Sequence, residues 1–377
     1  MSFTYSGTPI SDSVNAKNYG VKGDGSTNDT AAINALLSSS HKSIYFPTGT
    51  YIFTGTLVVP NGKKVYGDGA NTIFKLGYPF SLTSYDWRPQ EAGHLTNRPY
   101  MYVGANCTVS DFSIYGDTTE PKDEMHVAVL VHGNNTVCEN IRTNNVNYFP
   151  EDIQSENHPY GPVEYCPGFG LFVFGADNVT VRNCKFTNNG YQGIGTEDAE
   201  NAIIDGCYIG DGFRTGIQIH RGTKRLVVSN CTVHNTDTNK RCDITFHGSS
   251  GDGNVDRVII SDCVLGPKIE IGESRIIFSI SSIWGYENNI TIKGCDIKTQ
   301  GVGIFLGTEP PGGVSALTNV VVTGCNIDAA RRGVGVDGDY VVVTGNLIKY
   351  GTTDVVITGE NKEVSGNLSI YVPRVTS

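Results

Sequence analysis

The 377-residue chain is poor in charge, with only 18% Asp, Glu, Lys and Arg, and it holds 2 Trp and 3 Met. No apolar run approaches the ~20 residues that a membrane-crossing helix needs, so membrane insertion is excluded on that ground. Basic excess is missing too. Against 28 Lys and Arg stand 38 Asp and Glu, a net charge of −10, which supplies no electrostatic basis for gripping nucleic-acid phosphates or anionic lipid. The opening Met1-Ser2-Phe3-Thr4-Tyr5 has neither the basic region nor the apolar stretch of an export signal. There is no Cys-x-x-Cys spacing and no paired His cluster, so no metal site is specified. What remains is a hydrophobic fraction of 38%, enough for a large core, together with 46 Gly and 10 Cys.

The cysteines are periodic. Val179-Thr180-Val181-Arg182-Asn183-Cys184 recurs as Ala202-Ile203-Ile204-Asp205-Gly206-Cys207 and Leu226-Val227-Val228-Ser229-Asn230-Cys231, then with Cys263, Cys295 and Cys325, and Asn346 and Asn367 take the same place in two final copies. The steps between copies are 23, 24, 32, 32, 30, 21 and 21 residues. Each copy alternates apolar and polar residues, the pattern of a strand. A period just over twenty residues, with strands and no helical 3.6 pattern, is that of a solenoid of β-coils. A leucine-rich repeat has a similar period but would show Leu-x-x-Leu-x-Leu, which is absent. The expected fold is therefore all-β: a right-handed parallel β-helix in which each coil adds about 4.8 Å and equivalent residues stack in columns. Longer steps add outward loops of roughly ten residues. Six cysteines then form one inward column of free, buried thiols. Asn-x-Ser/Thr triplets at Asn106, Asn178, Asn230 and Asn289 read as turn residues rather than glycan acceptors.

The stretch Asn18-Tyr19-Gly20-Val21-Lys22-Gly23-Asp24-Gly25-Ser26-Thr27-Asn28-Asp29-Thr30-Ala31-Ala32-Ile33, followed by Ile44-Tyr45-Phe46-Pro47-Thr48-Gly49-Thr50-Tyr51, resembles the opening signature of the pectate-lyase-like β-helix superfamily. Asn28 or Asp29 can cap a short helix whose apolar face is Ala32, Ile33, Leu36 and Leu37, a plug for the open end of the stack. Residues 1–60 are expected to form this cap and the first coil, and residues 61–377 one continuous body with surface loops. The superfamily includes phage tailspike and appendage depolymerases, polygalacturonases, pectate lyases and mannuronan epimerases. Resemblance to them implies a polysaccharide partner and, by the tailspike members, a homotrimer in a virion tail or another extracellular setting, consistent with the missing export signal and reduced thiols. Acidic clusters on pectate lyases recruit calcium, so the resemblance leaves calcium open as a cofactor.

Chemistry should lie on the outward columns of the Gly-led strands. Aligned, these read Gly170-Leu171-Phe172-Val173-Phe174, Gly193-Ile194-Gly195-Thr196-Glu197, Gly216-Ile217-Gln218-Ile219-His220, Asp243-Ile244-Thr245-Phe246-His247, Gly303-Ile304-Phe305-Leu306-Gly307 and Gly333-Val334-Gly335-Val336-Asp337. Positions two and four are apolar and point in; one, three and five are expected to point out. Three successive coils then gather Glu197, Asp198, His220, Arg221, Asp243 and His247. Glu197 and Asp243, two rungs or about 9.6 Å apart, are an expected acid/base pair for glycoside hydrolysis, near the top of the inverting range of roughly 6.5–9.5 Å. The histidines are expected to orient a carboxylate or shuttle a proton, and Arg221, with Gln218, to hold sugar hydroxyls or a sugar carboxylate. Phe172 and Phe174 are expected among the substrate contacts.

Thr196-Glu197-Asp198 and Phe246-His247-Gly248 resemble polygalacturonase segments. The Asn-Thr-Asp triplet and Arg-Ile-Lys of that family are missing, replaced by Ala176-Asp177-Asn178 and Ser274-Arg275-Ile276-Ile277. A long insertion brings Asp152, His158 and Tyr160 as a second expected substrate-contacting group, where Tyr with His resembles the acid and base of lyase and epimerase members. The expected activity is depolymerisation of a bacterial surface glycan by hydrolysis, with lyase chemistry or non-catalytic glycan binding as alternatives on the same groove.

Overall fold

In successive coils the chain turns at the same two places, and the residues there share one backbone conformation. Asn106, Asn135 and Asn178 have φ of 57°, and Asn140, Asn183 and Asn230 have φ of 53°. This left-handed region is open to Asn at low cost because its side chain hydrogen-bonds locally. In other coils of the second column the place is taken by Gly206, Gly294, Gly324, Gly345 and Gly366, again at positive φ. The Asn-x-Ser/Thr triplets thus are corners: Asn106, Asn178, Asn230 and Asn289 all lie between 53° and 57°. Their amides also join coil to coil, Asn135 Nδ2 donating to Asn106 Oδ1 at 3.1 Å and Asn178 Nδ2 to Asn135 Oδ1 at 3.2 Å.

In this computed structural model, residues 13–83, 97–116, 125–146, 168–210, 215–234, 242–248, 253–268, 278–282, 286–307 and 317–372 are described. Between the corners run strands that pair in parallel with the coil above and below. They collect into a 24-stranded sheet, which contains the two strands on either side of the second corner, and an 11-stranded sheet. The chain is a right-handed parallel β-helix. Strands of the 11-stranded sheet are β1 (Leu57–Val59), β2 (Asn97–Val103), β3 (Met125–Val131), β4 (Gly168–Phe174), β5 (Gln192–Glu197), β6 (Thr215–His220), β7 (Cys242–His247), β8 (Phe278–Ser282), β9 (Val302–Leu306), β10 (Arg332–Asp337) and β11 (Thr353–Thr358).

One core runs the length of the stack. Ile194, Ile217, Ile244, Ile280, Ile304 and Val334 are all 0% exposed and lie in register. The cysteine column is as expected: Lys185, Tyr208, Thr232, Val264, Asp296 and Asn326 pair in series, and each is preceded by a buried Cys. Every described cysteine is free. The thiols point their weak S–H at backbone carbonyls, as Cys231 Sγ does at Ser229 O, 3.2 Å away. Where the column turns to asparagine, the amides take over the backbone: Asn346 Oδ1 accepts from Cys325 N at 2.9 Å, and Asn367 Oδ1 from Asn346 N at 2.9 Å. In the last coil Lys362 stands where Val341 stood and Ser369 where Ile348 stood, so the apolar filling gives way to polar side chains.

The other end carries α1 (Thr30–Ser38), which buries Ile33, Leu36 and Leu37 against the first coils. Its two capping candidates divide the work. Asn28 Oδ1 accepts from Thr30 N at 3.1 Å, while the Asp29 carboxylate turns back to take Lys22 N at 2.7 Å and Gly23 N at 2.9 Å, fixing the preceding turn. Among the described residues no helix is long and apolar enough to cross a membrane.

Burial pushes the Cys138 thiol well above its ordinary range, and Cys184, Cys207, Cys231, Cys263, Cys295 and Cys325 are each no more than 2% exposed. Since a reagent cannot reach a thiol sealed in the core, these six should resist alkylation by iodoacetamide in the native protein and react fully after denaturation. Peptide mass mapping of native and denatured samples checks this; rapid native labelling of the column would contradict the burial.

Candidate active site on the 11-stranded sheet

The outward face of β4 to β7 is shaped by an irregularity at the head of each strand. Pairing runs from Gln192 to Thr215 and from Ile194 to Ile217 but passes over Gly193 and Gly216. A Cβ on Gly193 would meet Ile209 Cγ2 at 2.4 Å, and one on Gly216 would meet Val233 Cγ1 at 2.4 Å. Both neighbours belong to the core, so the first position of these strands points inward and is kept as glycine for want of room. Asp243 occupies that position on β7 and is 0% exposed. This corrects the expected outward first column. Asp243 lies inside the coil wall, away from the outward patch, because the strand kinks at its first residue instead of alternating through it.

The outward place falls to the residue just before, Gln192, Thr215 and Cys242, none of which the alternation singled out. Gln192 Oε1 lies 2.8 Å from where a Cβ on outward Gly195 would stand, and its Nε2 donates to Gln218 Oε1. Gln218, 3% exposed, passes the interaction on, with its Nε2 2.9 Å from His247 Nδ1. Gln192 Nε2 also approaches His220 Nε2 at 3.5 Å. A short amide relay therefore orients both imidazoles. His220 and His247 stand in register on β6 and β7 with ring centroids 5.6 Å apart.

Glu197 ends β5, next to Phe174 on one side and, by the register Thr196 to Ile219, beside His220 on the other. It is 4% exposed, and its Oε1 accepts from Arg221 Nε at 3.4 Å. Asp198 follows at the corner with φ of 46°, its backbone N donating to Arg221 O at 3.0 Å. The Asp198 side chain is exposed at its edge but packs against Gly222, and partial desolvation raises its pKa, with Lys224 pulling the other way. Glu197, His220, Arg221, Gln218 and His247 are thus brought together on one patch, with Asp198 at the adjoining corner against Gly222. Phe172 is 1% exposed and Phe174 partly exposed on the same face. Asp152, His158 and Tyr160, expected from the sequence as substrate contacts, lie outside the described residues.

One carboxylate close to the patch is absent from the outward columns altogether. Glu287, 0% exposed, opens a strand of the other sheet; its Oε2 accepts from Ser282 Oγ at 2.6 Å and its Oε1 from Gly248 N at 3.3 Å, directly after His247. Burial pushes its carboxyl up to about 7. Its sequence context, Glu287-Asn288-Asn289, reads as an ordinary polar turn, so only the folding of one coil onto the next reveals it. Among the described residues no group of three His, Cys, Asp or Glu side chains comes together as a cation site.

Comparison with known proteins places the chain in a family. Residues 13–240 match the family described as rhamnogalacturonase A/epimerase, pectate lyase-like. The chain belongs to that family. It is 24% identical over 228 residues to the pre-neck appendage protein of Bacillus phage phi29, which covers 58% of the chain and 26% of that protein. It is 24% identical over 229 residues to alginate lyase 7 of Azotobacter vinelandii, 56% of the chain and 24% of that protein. The chain therefore spans about a quarter of either relative. Among solved structures, the Dettilon tailspike protein superposes with a TM-score of 0.57 at 16% identity, over 96% of this chain and 68% of that one. The Streptococcus pneumoniae adhesin PfbA does so with a TM-score of 0.61 at 14% identity, over 95% and 99%. At such identities these structures share the fold alone. The family is polysaccharide-active.

Glu287 makes a pH signature. A carboxyl whose pKa rises from 4.5 to about 7 on folding favours the native state fully below the unfolded value and loses that contribution as pH climbs through about 7. The change has a ceiling of about 3 kcal/mol. Thermal unfolding should show stability falling between pH 5 and 8, roughly, with Glu287→Gln flattening the slope; parallel slopes in the two proteins would show that Glu287 is not the group responsible.

Proposed function

We propose that the chain is the β-helical body of a polysaccharide depolymerase that hydrolyses a glycosidic bond on the outward face of β5 to β7. The observation that carries this reading is the Glu197 carboxylate, 4% exposed and hydrogen-bonded to Arg221, beside two imidazoles in register on the next coils. With Asp243 turned into the wall, the second carboxyl is Asp198. Desolvation raises its pKa, which suits it to give a proton to the leaving glycosidic oxygen. Glu197, held by Arg221, takes the proton from the attacking water, so that water is added across the bond and the two carboxyls exchange protons afterwards with solvent. His220 and His247, oriented by Gln192 and Gln218, hold sugar hydroxyls beside the cleaved bond.

A second reading is β-elimination from a uronic-acid polymer. The similarity to alginate lyase 7 favours it, as does the placement of Arg221 next to His220, a cation for a sugar carboxylate beside an imidazole base. A glycan-binding protein without turnover is the remaining reading, for which the adhesin's fold is the parallel. Similarity to a phage appendage supports a place in a virion tail or another extracellular setting, with three copies assembled as a homotrimer.

Incubation with surface polysaccharides from candidate bacterial hosts separates the three. Hydrolysis releases reducing ends without ultraviolet absorbance, elimination releases them with the absorbance of an unsaturated sugar, and binding alone releases none. Glu197→Gln and Asp198→Asn should each lower kcat by about 100-fold or more while glycan binding persists; turnover at wild-type rate in both would overturn the assignment.

A further inference from the structure

Toward the N-terminal side of Glu197 the outward face of the 11-stranded sheet carries rings, in two columns fixed by the strand register. Tyr102 on β2 pairs with Leu130 on β3, and Leu130 with Phe172 on β4. In the neighbouring column His132, just past β3, stands beside Phe174. The rings touch in sequence: Tyr102 to His132 at 6.2 Å between centroids, His132 to Phe174 at 5.4 Å, Phe174 to Phe172 at 6.2 Å, Phe172 to His220 at 6.0 Å and His220 to His247 at 5.6 Å. The line spans β2 to β7 and passes directly alongside Glu197.

His132 is the informative member, because it is exposed yet held. Its Nδ1–H donates to Phe174 O at 2.8 Å, and its ring lies within 13° of parallel to the Phe174 ring. A loose surface histidine has no reason to be pinned to backbone in this way, whereas a preorganised flat surface pays little entropy when something is laid on it. Among the described residues the members of the ladder carry no carboxylate, ammonium or guanidinium. The Arg221 guanidinium, beside the ladder's far end, is engaged by Glu197. Its grip is therefore that of aromatic faces, whose negative quadrupole attracts the weakly positive C–H edges of a sugar ring.

We infer that Tyr102, His132 and Phe174 form an extended glycan subsite that holds several sugars on the N-terminal side of the cleaved bond, and that the polymer it selects is a neutral glycan rather than a polyuronate. This rests on the proposed function for the position of the cleaved bond; the binding itself does not depend on catalysis. Contact through ring faces makes affinity grow with chain length and respond weakly to salt, since little charge is screened.

Affinity electrophoresis tests it, in gels containing a soluble 1,3-β-glucan, a set of neutral bacterial capsular and wall glycans, or alginate, each with and without added salt. The expected result is retention of the wild type by at least one neutral glycan, insensitive to salt, and retention weakened by on the order of tenfold in His132→Ala and in Phe174→Ala. Retention by alginate alone, no retention by any neutral glycan, or wild-type retention in folded ring variants would each overturn the proposal. Should a variant fail to fold, His132 ring resonances of the unmutated protein provide the second measurement: they shift on titration with oligosaccharides of the retained glycan, and invariance overturns the subsite. Glu197→Gln serves as the control that keeps the two readings apart. Lost turnover with full retention in that variant concerns the carboxylate; retention that depends on the rings while no sugar is released leaves the ladder standing and removes the depolymerase reading.

Discussion

The structure depends on one repeated corner, a residue in the left-handed region at the same two places in successive coils. A parallel strand pair can form only if the connection returns the chain one rung up and in register. In most coils Asn or Gly supplies that return within a single residue, because Gly has no Cβ to clash and the Asn amide finds a hydrogen bond locally, while Arg225, Arg257, Asp262 and Tyr340 take the same conformation in the others. In a sheet, slipping one residue would turn every side chain to the opposite face. Fixed corners prevent this over many coils. They place Cys184, Cys207, Cys231 and their successors in one inward column and, by the same rule, place His220 and His247 in one outward column.

The kink at the head of the strands is the second constraint and the one that decides the site. Gly193 and Gly216 press against Ile209 and Val233 so closely that a methyl group would not fit. Where β7 carries Asp243 instead, the carboxyl is inside. The wall thereby withdraws one acid from the outward patch and leaves Gln192, Thr215 and Cys242 on it. Catalytic reach in this fold is accordingly a matter of which column a residue joins, since the sheet itself is rigid and the rungs are evenly spaced. Glu197 reaches the outward face at the far end of its strand, beyond the kink, where alternation is intact.

Polar groups near the patch are coupled to one another instead of being left to solvent. Gln192, Gln218 and His247 form a chain of amide and imidazole contacts across three coils. Glu287 fastens the turn after His247 from beneath. Buried networks of this kind hold rotamers in place and so keep reacting groups in position before a ligand arrives. The ring ladder is held the same way, with the His132 imidazole tied to the Phe174 carbonyl. Family membership is compatible with hydrolases, lyases and binders on one scaffold, so function is argued from this side-chain arrangement and not from the fold.

The coil period, the thiol column, the capping helix and the outward histidines were legible in the primary structure, because each is a one-dimensional pattern: a repeat step, an alternation or an amphipathic face. Glu197, His220 and His247 fell in the correct column for the same reason. Asp243 did not, since strict alternation has no means of registering a kink that comes from a missing Cβ pressing on the neighbouring wall. Glu287 and Gln192 were equally invisible, one because it arrives from a strand of the other sheet, the other because it sits one residue outside the aligned pattern. The order of rings from Tyr102 to His247 joins residues more than a hundred positions apart and exists only once the coils are stacked. Periodicity along the chain determined the architecture by itself; which titratable groups share a surface was decided by tertiary packing, where local departures from that periodicity set the direction of each side chain.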